Sequence, residues 1–556
     1  MNNSSLYTQQ GLIVFIVLII FAYIFVLRSY SRYQKKKKYI RKFEKEFGIR
    51  PEVPSKYNKE YIYEFIEATQ NRHRYIDKNT AVDIDIYELF DNIEICKSAI
   101  GRDALFRALN QTDLDNKTKK NRTKLMDLFL NNSKLRSEII YEYDKLTKRY
   151  DHNIFSFINT DHKYLFEDSV LIFLSFLPLV FVILGIVFNP LMYMIAVIDF
   201  FINLYFHIKT NELTKHSSSS INSIFSVLRL ASVMMNKKNS ELEFYTSELR
   251  KYSDIVSKIG KNNIFLIEDL NDTNVIYMYF QIFFLTLPRK YNKILKILNT
   301  QRERFLELIE LLMEVEVAYS ISSMTCWFEE GEITRATESD DVEFIDLHHP
   351  IIRDCVKNSF TDEKLLITGS NATGKSTYLK AVAISILFAE NFGFCFAKSA
   401  KYRKGHIITS MGHKDSITSH KSYFMQEIER LKDIIDISKK EFIYILIDEI
   451  LRGTNTIERI AASSSILKEL AKSKSIILVA THDIELTHIL DEYKKVHFSE
   501  YYEDEDIKFD YKLKEGASKT RNAINLLEYM GFDPQTVEES RKRIKNFEVN
   551  KTWITE

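Results

Sequence analysis

Residues 12–27, 169–188 and 191–208 are apolar runs, the last two separated only by Asn189-Pro190. Runs of this length suit helices that cross a bilayer, so the pattern predicts one transmembrane helix near the N-terminus and a two-pass hairpin further on, three in all. The one acidic residue of the hairpin runs, Asp199, recurs with Asn203 and His207 at four-residue spacing and shares a helix face with them. Residues 291–322 instead mix apolar and polar positions near helical spacing, with Ile294, Leu295, Leu298, Phe305, Leu308, Ile309, Leu312 and Val315 on one side. That pattern serves a long lever or an ordinary core helix. The last third changes character: residues 364–368, 442–447 and 475–480 are short apolar runs of the kind buried on both faces of a parallel sheet, and residues 378–390 return to helical spacing.

Charge orients these elements. Arg28, Arg32, Lys35, Lys36, Lys37, Lys38, Arg41 and Lys42 follow the first apolar run and no basic residue precedes it, the reverse of a cleavable signal peptide. The positive-inside rule then places residues 1–11 outside and residue 28 onward in the cytoplasm, and the hairpin returns the chain to that side by Lys209. The expected location is the cell membrane, multi-pass, with the C-terminal domain in the cytoplasm and the lipid bilayer as a partner. The basic cluster suits contact with anionic lipid. A net charge of +1 leaves no global footprint for nucleic acid, so any such site would be local. Only 7 Pro and 14 Gly in 556 residues favour long helices around one α/β unit. Cys96, Cys326, Cys355 and Cys395 have no metal-like spacing, so reduced thiols are expected and no structural metal is.

Candidate chemistry concentrates after the three short apolar runs. Gly369-Ser370-Asn371-Ala372-Thr373-Gly374-Lys375-Ser376-Thr377 is a complete phosphate-binding loop between a strand pattern and a helix pattern. In such a loop the glycines let backbone N–H groups wrap phosphate oxygens, Lys375 reaches the β and γ phosphates, and Ser376 offers a hydroxyl to Mg²⁺. The second run ends in Asp448-Glu449, a pair suited to holding the metal and polarising water. The third ends in Thr481-His482, whose imidazole suits the γ phosphate or the attacking water.

These segments together resemble the ATPase domain of the MutS DNA mismatch-repair family. The likeness is carried by residues 368–380, by Asp448-Glu449-Ile450-Leu451-Arg452-Gly453-Thr454-Asn455-Thr456, and by Ala480-Thr481-His482. Met411-Gly412-His413-Lys414-Asp415 and Ser422-Tyr423-Phe424-Met425-Gln426-Glu427 resemble the family's signature segment, which implies that Ser422 contacts the nucleotide of the opposite subunit. His349-Pro350 resembles the element that opens the nucleotide domain, with an aromatic side chain nearby to stack on adenine. Residues 514–533, with Gly516-Ala517-Ser518 and Tyr529-Met530-Gly531-Phe532, resemble its C-terminal dimerisation segment. Upstream, residues 75–85, 88–90 and 99–105 resemble the start of the family's core domain. Two positions depart from the family pattern: His420 and Leu451 stand where glycine is usual.

The resemblance implies ATP and Mg²⁺ as cofactors, a homodimer formed through the ATPase domain, and DNA as a further partner. It implies catalytic roles for Lys375, Glu449 and His482, and a metal site at Ser376 and Asp448. The expected fold is an α/β P-loop NTPase of MutS/ABC type at the C-terminus, a mainly helical core and lever-like region, and three transmembrane helices. Its divisions are 1–11 extracytoplasmic; 12–27 first span; 28–168 helical, core-like from 75; 169–208 hairpin; 209–340 helical core or lever; 341–545 ATPase with dimerisation segment; 546–556 tail. Residues 28–74 leave no room for the family's mismatch-reading module, and the Phe65-Ile66-Glu67 and Phe305-Leu306-Glu307 trimers lie in helix-like surroundings rather than on a groove-facing wedge. The reading is therefore a membrane-tethered, MutS-like ATPase acting on DNA. A membrane-remodelling or transport-linked ATPase, or an ATP-switched scaffold without DNA, remain alternatives.

Overall fold

A computed structural model describes residues 3–52, 73–146, 154–160, 166–214, 218–257, 275–370, 373–412, 423–503, 506–518, 523–550 and 552–553. The first apolar run and the basic cluster after it share one helix, α1 (Asn3–Glu46). After two short helices, Lys78–Asp83 and Ile86–Ile93, come α2 (Ala99–Asn110) and α3 (Asn116–Asn131), both started by side-chain caps. Ser98 Oγ accepts from Gly101 N, and Asp115 accepts from the N–H groups of Lys117 and Thr118. The hairpin is α4 (Asp168–Val187) and α5 (Met192–Thr214), which pack on each other. A short apolar helix, α6 (Val275–Phe283), precedes the long α7 (Thr286–Thr325).

The apolar stripe expected over residues 291–322 is the buried side of α7, and Ile294, Leu295, Leu298, Phe305, Leu308, Ile309, Leu312 and Val315 are all in the core. The helix bends at Gln301, whose φ of −145° is non-helical, where Asp254 gathers both Gln301 and Arg304. A further helix runs Ser218–Met235, with Ile221, Ile224, Val227, Leu228 and Ala231 supplying its buried face.

The C-terminal third builds a six-stranded sheet from β1 (Lys364–Thr368), β2 (His406–Ser410), β3 (Ile443–Asp448), β4 (Ile476–Thr481), β5 (Lys494–His497) and β6 (Lys514–Glu515). Their order is β2-β3-β4-β1-β5-β6, parallel except for β6. All six residues of β3 and of β4 are buried, as the unbroken apolar runs require. Helices α8 (Lys375–Phe392), α9 (Tyr423–Ser438) and α10 (Thr456–Ala471) belong to this unit. In a parallel sheet the carboxyl ends of the strands share one edge. Here the register pairs Thr368 with Thr481 and Asp448 with Ala480, so the loops after β1, β3 and β4 open side by side.

The helical body docks on this unit through polar groups. Asp83 accepts from Thr409 Oγ1 (2.6 Å) and Met411 N (3.0 Å), and Arg430 reaches Asp77 (2.8 Å). The core-like sequence at 75–85 is thus the surface that grips β2 and α9. Deeper, Arg122 on α3 donates to both oxygens of Glu314 on α7 (2.6 and 2.9 Å) and to the carbonyl of Asn391 near the end of α8 (2.9 Å).

Candidate functional site

The loop after β1 is shaped by its glycines. Gly369 has φ +145° and Gly374 φ +98°, both in the region that favours glycine. A Cβ on Gly369 would sit 2.6 Å from the carbonyl oxygen of Phe498. Gly374 starts α8, so the helix N-terminus and its free N–H groups face the loop. Lys375 is buried at that terminus and its Nζ donates to the carbonyls of Gly369 (2.7 Å) and Ser370 (2.8 Å). Thr373 Oγ1 closes the turn onto Ser370 O at 2.7 Å. Thr377 lies in the first turn of α8. Asn371, Ala372, Ser422 and His420 lie outside the described residues, as do His413-Lys414-Asp415 of the signature segment.

The acidic pair faces this loop. Ser376 Oγ donates to Asp448 Oδ2. A hydroxyl and a carboxylate converging on one point make an oxygen donor set that fits Mg²⁺. Glu449 is nearly buried, and its Oε2 meets Arg452 Nε at 2.6 Å and His482 Nδ1 at 3.3 Å. His482 Nε2 is 3.7 Å from Asp483 Oδ1, and Arg459 holds Asp483 with two hydrogen bonds of 2.7 and 2.9 Å. The expected catalytic and metal residues Lys375, Ser376, Asp448, Glu449 and His482 are therefore gathered at one sheet edge.

The two carboxylates are pushed apart. Burial raises the Asp448 carboxyl above its usual value, against the Ser376 hydroxyl and the Lys375 charge. Burial acts upward on Glu449 too, but the His482 hydrogen bond and the Arg452 charge outweigh it and hold the group low. Burial lowers the Lys375 ammonium, against the pull of Glu449 and Asp448. The hydrogen bond to Glu449 raises His482. Because the folded value lies above the free one, the stabilisation from this pair is complete below the ordinary histidine pKa of 6.5 and fades as pH rises through the raised value. A proton-resolved NMR titration of His482 is expected to show a midpoint above 6.5, moving down in Glu449→Gln.

Leu451, at the position where glycine is usual, has φ +57°. Left-handed backbone costs a leucine about 1–2 kcal/mol. Full burial of a leucine side chain contributes about 1.5–3 kcal/mol, and Leu451 is 2% exposed with its N–H bonded to Glu427 Oε1. Burial thus offsets the strain, and the departure is tolerated where it stands.

Sequence reasoning missed several groups at the mouth. Arg452 belongs to the Arg-Gly-Thr run of residues 452–454, but its pairing with Glu449 is set by the fold. Glu500, which accepts from Ser370 Oγ (3.2 Å), sits on a hairpin of Glu500–Glu503 and Asp506–Phe509. Tyr511, whose ring lies 3.2 Å from where a Gly374 Cβ would be, has positive φ and is held by Asn358. Only the aromatic, acidic character of residues 500–511 hinted at a wall over the loop. His349 is buried, with its pKa pushed down to about 4 by burial.

Comparison with known proteins bears on this site. Residues 365–548 match MutS domain V. A DNA mismatch repair protein MutS from Aquifex pyrophilus is 34% identical over 216 residues, covering 36% of this chain and 25% of that protein. The chain thus spans about a quarter of the length of this relative. The phosphate loop, the acidic pair and the histidine all lie inside the segment that is similar to MutS domain V.

Proposed function

We propose that the chain is a membrane-tethered ATPase of MutS type that hydrolyses ATP with Mg²⁺ as a dimer and acts on DNA. The observation that carries this reading is the convergence of Lys375, Ser376, Asp448, Glu449 and His482 on one loop. Lys375 and the α8 N-terminus bind the phosphates, and Lys375 gives up its carbonyl partners to do so. Ser376 and Asp448 would hold Mg²⁺, which would supply charge neutralisation to the phosphates. Glu449, kept ionised and oriented by Arg452 and His482, positions water. His482 steadies the developing charge.

Dimerisation draws support from the C-terminal segment, where Tyr529, Met530 and Phe532 are exposed together. Ser422 is the residue assigned to the partner's nucleotide by resemblance. Tethering draws support from α4 and α5, which by length and composition suffice to cross a membrane. Phe173, Phe176, Ile183, Ile186, Met194, Ile198, Phe201 and Tyr205 on this hairpin are exposed, an apolar surface too extensive for water. The apolar run at 12–27 of α1 would make a third span, and the C-terminal domain would lie in the cytoplasm.

The test is ATP hydrolysis by the full chain in lipid vesicles, with homoduplex, mismatched or no DNA. Stimulation by DNA that weakens as salt rises is expected. Robust turnover indifferent to DNA would sink the DNA role and favour the second reading, a membrane-remodelling or transport-linked ATPase. That alternative draws on the packing of α7, the long helix of the body, directly against the hairpin.

A further inference from the structure

Helix α6 and the start of α7 carry no charge from Val275 to Leu287, and Pro288-Arg289-Lys290 follows. An apolar stretch of this length is too short to span a bilayer but suits a re-entrant segment. Its neighbours locate it. Asn203, fully buried in the middle of α5, donates from Nδ2 to Leu174 O on α4 (3.2 Å) and to Phe283 O at the end of α6 (3.3 Å). Leu174, Asn203 and Phe283 therefore lie in one layer. Further along, Asn292 on α7 donates to Asp168 Oδ1 and Phe166 O, both at 2.8 Å, at the start of α4.

The two ties agree in depth. At 1.5 Å per residue, Leu174 lies about 9 Å inside the hairpin from Asp168, and Leu285 lies about 10 Å along α7 from Asn292. The chain thus descends through α6, turns at Phe284-Leu285, and rises again in α7. Leu285 takes φ +46° and is fully buried. Non-helical backbone is tolerated at membrane depth only where protein covers it and its polar groups are satisfied, and Asn203 supplies that for Phe283 O. Polar groups of this layer turn inward: Asp199 is 2% exposed, and Arg289 reaches Ser175 Oγ at 3.3 Å. Aromatic groups turn outward: Tyr279 is 52% and Phe280 41% exposed, as Phe201 (62%) and Tyr205 (61%) of α5 are. Phe200 packs on Tyr279 and Phe283, at ring separations of 6.3 and 5.7 Å.

We infer that α6 and the first turn of α7 form a re-entrant loop inserted into the same leaflet as the hairpin ends, with Tyr279 and Phe280 against lipid acyl chains and Asn203 holding its turn. The long helix of the body begins inside the membrane, so α7 joins the bilayer to the α3 and α8 contacts of the ATPase unit. This rests on the membrane reading of α4 and α5.

Single nitroxide labels test it in the full chain in lipid vesicles, with Cys326 and Cys355 replaced by serine and the buried Cys96 and Cys395 left. The labels go on Tyr279→Cys, Phe280→Cys, Phe201→Cys and Lys296→Cys, and collisions with oxygen and with a water-soluble nickel chelate are compared. Oxygen is expected to dominate at 279, 280 and 201, and nickel at 296. Nickel dominating at 279 and 280 while oxygen dominates at 201 overturns the re-entrant loop and leaves the hairpin reading standing. Exclusion of both reagents at 279 and 280 overturns it too, pointing to a protein surface there. Nickel dominating at 201 as well removes the membrane reading and the loop with it.

Discussion

Glu449→Gln is expected to lower kcat for ATP hydrolysis by about 10²–10⁴-fold, the range typical of a positioned general base. KM for ATP should change little, because the proposed mechanism assigns the phosphates to Lys375 and the α8 N-terminus and not to Glu449. The amide keeps the size of the carboxylate but loses the charge that draws Arg452 and His482 together at Oε2. Steady-state turnover measured beside equilibrium nucleotide binding separates the two effects. Loss of binding in step with turnover would mean that Glu449 holds the loop in shape, and its assignment to water would fail.

Arg122→Met is expected to destabilise the folded chain by about 3–5 kcal/mol, the cost of leaving one partner of a buried pair without the other. Arg122 is among the largest fully buried side chains, and it alone ties Glu314 of α7 to the Asn391 carbonyl of α8 among the described residues. Arg107 still lies 3.5 Å from Glu314, so the lower end of that range applies if it takes over. Adding Glu314→Leu should recover most of the loss, since well-packed apolar residues replace a buried ion pair at little cost. Denaturant midpoints of the single and double variants in detergent decide the matter. An unchanged midpoint in Arg122→Met would show that the pair is not what joins the two helices.

Much of the site was legible because its chemistry is local. A phosphate loop needs glycine where φ is positive, and Gly369 and Gly374 stand there. A strand buried on both faces must be apolar throughout, so β3 and β4 announced themselves as unbroken runs with the functional residues at their ends. Arg452, Glu500 and Tyr511 were not legible as site residues, since their roles depend on which loop folds over which.

The helical body shows the same division. Its apolar periodicity foretold the buried face of α7 and the length of α4 and α5, because periodicity records one helix facing one environment. Composition, charge order and spacing by themselves determined the loop, the acidic pair, the histidine and the apolar helices. Tertiary structure alone decided that Asn203 would cap the turn after α6, that Arg122 would join α7 to α8, and that Leu451 would bear a left-handed backbone. Each of these couples residues far apart in the chain, and a buried polar group or strained backbone is stable only once distant partners have been brought to it.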